Sequence, residues 1–239
     1  MAQPSGYKKL PGSSGGLRSA AGTLVEGLDL AGYEIFGGNV RAVEDPRLRP
    51  TFRDIILRDS KIRDCVFESA LLERVTVDGL VVDDGDFFRV VACAFRRVEL
   101  RGRIDNVLIV PRLPPYPVNF REIYNRANGE HWVDLLSDDD WALDISEVSG
   151  SLDLRAGIPA RLIRRDPRTQ VVMTSQQAAD GGWRTVQGIE RSGLGTQIEL
   201  FSQSGFRDFV LIAKKGLPYF SEQVDMIRKL QSIGAAMPD

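Results

Sequence analysis

FRDIILRDSKIRDCVF, residues 52–67, repeats one word three times. Phe52-Arg53-Asp54, Leu57-Arg58-Asp59 and Ile62-Arg63-Asp64 each read apolar-Arg-Asp, and each begins five residues after the last. Extended outward, the register gives Phe52, Leu57, Ile62, Phe67, Leu72, Val77, Val82 and Phe87, all apolar. Two residues earlier runs a second series: Pro50, Ile55, Ser60, Cys65, Ala70, Val75, Leu80 and Gly85, most of them small or apolar. On an α-helix, steps of five turn by about 140° each and scatter these residues around the cylinder. On a flat strand, an odd step sends successive members to opposite faces. A chain that turns a corner every five residues points both series inward at every side. Coils of this kind, of about 20 residues each, stack and bury a continuous ladder.

This stretch resembles the pentapeptide-repeat proteins. In that family a large apolar residue stands at the centre of each pentad, with a small residue two before it. The resemblance implies a short right-handed parallel β-helix of about three coils over residues 50–110. One departure has a consequence. The family usually carries Asp or Asn just before the central residue, whereas this chain has Ile56, Lys61, Val66, Leu71, Thr76 and Val81. Apolar residues on an outer face imply that something rests on it. After residue 90, Phe95 and Leu100 fit the second series while Arg97 breaks the first.

The fold class expected is therefore mainly β with α: the β-helix, followed by a C-terminal mixed α/β unit packed on it. Residues 1–22, rich in Gly, Ser and Pro, read as a flexible lead-in without the apolar stretch of a secretory signal. The β-helix with its N-terminal cap takes 23–110, with 28–43 as the first irregular coil and Gly37-Gly38 as a turn. PRLPPYP makes 111–118 a proline-rich linker, because four prolines in seven residues cannot sustain a ladder. The unit at 119–239 is predicted to hold strands within 141–154, a short helix at 159–165, a strand from VVMT and a helix at 194–205. A strand at 209–216 and an amphipathic helix at 219–234 complete it, the helix with Phe220, Val224, Ile227, Leu230 and Ile233 on one stripe. WALDISE (141–147) and LIRRDPRTQ (162–170) are similar to phrases of an uncharacterised bacterial family in which a degenerate β-helical segment precedes such a unit.

Composition narrows function by exclusion. Thirty-one basic residues against 33 acidic ones give a net charge of −2. That is not a surface built to attract nucleic acid or an anionic membrane. Residues 52–110 carry 11 acidic and 10 basic side chains. Such a segment is a poor imitation of a polyanion, the role some pentapeptide-repeat proteins play towards topoisomerases. Two cysteines, Cys65 and Cys93, with no CxxC pattern, argue against a disulfide framework or structural zinc, and for a cytoplasmic protein. No nucleophile elbow, phosphate-binding loop or zinc-protease motif occurs, so no catalytic residue, metal ligand or cofactor is predicted.

Two charged clusters stand out. Around the single histidine, Glu130, His131, Asp134 and Asp138, Asp139 and Asp140 read either as a hard-metal or acid/base cluster or, preferably, as a solvated acidic loop anchored by tryptophan. Arg161, Arg164, Arg165 and Arg168 suit a partner's carboxylates or a phosphate. The plainer reading pairs them with Asp138–Asp140 or Asp144 on the protein's own surface. These arginines and aspartates are the candidate partner-binding residues. The preferred function is a non-enzymatic protein-binding module of the immunity or adaptor kind. The alternatives are an enzyme or anion/small-ligand binder with its site between the two units, and a self-assembling structural subunit.

Overall fold

A computed structural model describes residues 8–9, 20–82, 86–111, 118–155 and 157–237. The fold is mixed α/β with mostly parallel sheets and few helices. Its first strands are β1 (Lys8–Lys9), β2 (Leu24–Glu26), β3 (Asp29–Ala31), β4 (Tyr33–Phe36) and β5 (Asn39–Val40). Next come β6 (Thr51–Arg63), β7 (Val66–Glu68), β8 (Leu71–Val82), β9 (Phe88–Val91), β10 (Ala94–Arg96), β11 (Val98–Ile104) and β12 (Val107–Val110). Helix α1 (Val118–Ser137) precedes β13 (Leu143–Gly150), β14 (Asp153–Leu154), β15 (Ile163–Arg164) and β16 (Gln170–Thr174). The chain closes with α2 (Ser175–Asp180), α3 (Gly193–Ser202), β17 (Asp208–Ile212) and α4 (Phe220–Ser232). Among the described residues no helix is long and apolar enough to cross a membrane.

The repeated word explains the pairing. Residues of β6 lie beside those twenty positions later in β8, Thr51 by Leu71 and Ile62 by Val82. The register matches apolar to apolar, so Phe52, Leu57 and Ile62 stack on Leu72, Val77 and Val82; five of these six are buried and Val77 packs partly against them. The aspartates that catch the eye have a backbone role. Asp54, Asp59 and Asp64 all have left-handed backbone, with φ of 53°, 44° and 53°. Asp tolerates that region better than branched residues do. One layer earlier the same corners are Gly27, Gly32 and Gly37, whose amides donate to the carbonyls of Arg53, Arg58 and Arg63. Later layers put Arg74, Gly79, Arg97 and Gly102 there. The arginines of the word bond between layers: Arg53 to Glu73 at 2.8 Å and Arg58 to Asp29 at 2.9 Å.

The five-residue phase slips between Val82 and Val90. Phe67 lies beside Val90, twenty-three positions on, and Phe95 and Leu100 lie beside Leu72 and Val77. Val90, Phe95 and Leu100 therefore continue the central series and not the second one, and Arg97 is a corner, not a break. Phe87, expected inside, is 52% exposed. Phe88 packs partly inward in the column of Cys65, edge-on to Phe67 with ring centroids 5.3 Å apart. Gly85 of the second series lies outside the described residues.

The parallel sheets also pass the boundary expected at 111–118, of which 112–117 lie outside the described residues. β13 pairs with β11, β14 with β12 and β15 with β13, all parallel. Residues 143–164 thus share sheets and core with 51–110. The short helix expected at 159–165 is a single 3-10 turn, Ala160–Leu162, running into β15. Of the lead-in expected at 1–22, Lys8–Lys9 pair in parallel with β4, and 1–7 and 10–19 lie outside the described residues.

At the C-terminal end the grammar becomes antiparallel. β16 and β17 pair with Val172 beside Val210. Val172, Val210 and Ile212 face the main core, while Val171, Met173, Phe209 and Leu211 face a second core. That second core is filled from α2, α3 and α4 by residues such as Ala178, Ile198, Phe201, Met226, Ile227 and Leu230. Period-two alternation with both faces buried makes this hairpin the layer that joins the two cores. On α4 the buried stripe is Gln223, Met226, Ile227 and Leu230, while Ile233 is exposed.

Candidate functional site

The segment read as an acidic loop is instead the last two turns of α1 and the bend after it. Among the described side chains of α1, Tyr124, Asn128, Trp132 and Leu135 are the buried ones, a narrow stripe. Tyr124 packs on Val91 and Ala92 beside Val66 and Val110, and its hydroxyl donates to the Val43 carbonyl at 2.8 Å. Part of the outer apolar face is thus covered by the chain itself. Asn128 donates to the Ala92 carbonyl and accepts from Arg49 at 2.9 Å. His131 Nε2 meets the Phe95 carbonyl at 2.9 Å, and burial pushes its pKa down, so the ring is held neutral. Glu130 and Asp134 are exposed. Among the described residues no three His, Cys, Asp or Glu side chains converge on a point.

The acidic run pairs with arginines that the sequence reading did not select. Asp140 accepts from Arg96 and Arg97 at 2.9 Å each and from the Trp141 amide. Burial raises the Asp140 pKa, but the bonds from Arg97, Trp141 and Arg96 outweigh it and hold the carboxyl below the usual range. Asp138 makes a longer contact with Arg96 at 3.4 Å, and Asp139 is an exposed left-handed corner. The four selected arginines diverge. Arg164 lies over the Trp141 ring at 4.3 Å, Arg168 pairs with Asp166 at 2.9 Å, Arg165 is half-buried and Arg161 is exposed. Asp138 and Asp140 form their ion pairs with Arg96 and Arg97. Asp144 accepts from Ser146 instead. Trp141 links the two candidate clusters, its amide on Asp140 and its ring under Arg164.

What the fold does assemble is a cleft of about 680 Å³ between α1, the inner strands and two loops, 157–161 and 205–208. Its walls include Phe95, Ile109, Trp132, Leu136 and Ile158, and Arg161 and Arg207 also line it. Cys93 lies in the wall, and burial pushes its thiol up to about 12, which favours the protonated form. Only Arg161 of this set was selected from sequence. Arg207 carried no signal, being a lone arginine in a loop. Comparison of the chain with protein-family models, with curated proteins and with solved structures finds no match.

Proposed function

We propose that this chain is a non-enzymatic, cytoplasmic protein-docking module of the adaptor or immunity kind, built on a short right-handed β-helix. Two features support the β-helical reading: in-register parallel pairing at twenty-residue offsets, and left-handed corners at five-residue steps. One observation carries the docking reading. The stack is finished differently at its two ends. The C-terminal end is sealed by the β16–β17 hairpin and its helices. At the N-terminal end, β2 and β3 pair only with β6 among the described residues. There Leu24, Leu28, Phe36 and Leu48 are 49%, 39%, 43% and 49% exposed. Strand edges with no further described neighbour, beside exposed apolar side chains, fit an extended partner segment that adds as a strand.

A photo-crosslinking residue at Leu28 tests this, with one at Val133 on α1, itself 60% exposed, as control. The reading expects Leu28 to capture a single protein in stoichiometric yield, with capture lost on Leu24→Asp and absent from Val133. Equal capture at both sites contradicts it. Capture of a second copy of this chain alone converts the reading to a self-assembling subunit.

A further inference from the structure

Many arginines of this fold are spent on carboxylates, among them Arg53, Arg58, Arg74, Arg96, Arg97 and Arg168. Arg161 and Arg207 do not. Both are exposed, both line the cleft under α1, and neither guanidinium has a hydrogen-bond or ion-pair partner among the described residues. Asp208, which also lines the cleft, accepts from the Ala160 amide through one oxygen at 2.7 Å. The remaining walls are mostly apolar, with Trp132 and Ile158 buried and Leu136 half-buried, and Asn125 and Asn128 add polar groups from α1. The cleft volume falls within the roughly 300–1,000 Å³ of small-molecule sites.

We propose that this cleft binds a small amphipathic carboxylate. The apolar body lies against Trp132, Leu136 and Ile158, and the carboxylate is held by Arg161 and Arg207. The planar guanidinium presents paired donors that match a carboxylate, and its bonds to that anion are about twice as strong as neutral ones. A cation of the same shape meets two positive groups, and a neutral molecule leaves them unanswered. The site uses no residue of the β2–β3 edge, so it stands or falls apart from the docking reading.

Decanoate is the probe, titrated below its micellar range and followed by calorimetry and by tryptophan emission, for which Trp132 in the wall is the reporter. Decanol and decyltrimethylammonium are the charge controls. Decanoate is expected to bind saturably. Arg161→Gln and Arg207→Gln each weaken it about tenfold, the loss of one charge-assisted bond, and leave decanol unchanged. Leu136→Trp, which fills the cleft, abolishes binding of both. Three results overturn the proposal: no saturable decanoate binding, equal binding of decanoate and decyltrimethylammonium, or unaltered affinity in both glutamine variants.

Discussion

The Asp140 carboxylate, 3% exposed, lies 2.9 Å from the Nε of Arg96, forty-four positions earlier in the chain. Arg97 holds the other oxygen at the same distance. Together they tie the bend after α1 to the end of β10. Asp140→Asn keeps the shape and removes the charge, and is expected to cost about 1–3 kcal/mol at neutral pH. The sign of the pH effect follows from the lowered carboxyl. The folded protein refuses a proton that the unfolded chain accepts near 3.8, so this contribution is complete above that value. It is lost as pH falls through the lower folded value. Urea denaturation should show wild type and variant converging as pH drops below 3.8.

His131 offers a cleaner titration, being the chain's one histidine. Burial depresses its pKa from 6.5, so the unfolded chain binds the proton more readily than the folded one. Stability is complete above 6.5 and declines as pH falls below it towards the folded value. His131→Leu should flatten the urea midpoint between pH 7 and pH 5.5. An unchanged slope in the variant would place the titrating group elsewhere.

The corners make a different prediction. Asp59 sits at φ 44° and pays for a side chain that glycine lacks. Asp59→Gly should leave the melting temperature unchanged or slightly higher, while Asp59→Val should cost about 1–2 kcal/mol. Gly102, in the same column at φ 64°, is the converse. A Cβ there would meet Asp78 Oδ1 at 2.9 Å and the Gly79 nitrogen at 3.3 Å. Gly102→Ala should cost at least about 1 kcal/mol.

The ladder was legible because its core positions recur at a fixed step. The step identified Phe52, Leu57, Ile62, Leu72 and Val82 as inward, and all five are buried. It failed where the layer lengthens, because a three-residue insertion re-registers every later residue without changing composition. Helix α1 was missed for the opposite reason. A buried stripe of Tyr124, Asn128, Trp132 and Leu135 is too narrow, and too polar at Asn128, to look amphipathic. β14 and β15 are two residues each and take their conformation from the strands beside them, not from a pattern of their own. The cleft was illegible because it joins Arg161, Arg207 and Trp132, which only tertiary structure brings together.

The phase slip gives the account its most direct test, because it assigns opposite faces to two phenylalanines eight residues apart. Thermal and urea unfolding of Phe95→Ala and Phe87→Ala would decide it. Phe95 is 3% exposed in the core, so its truncation should cost about 3–5 kcal/mol. Phe87 faces solvent, and its truncation should stay within about 0.5 kcal/mol of wild type. A large loss for Phe87→Ala with little for Phe95→Ala would contradict the register on which the pairing of the layers and their corners depends.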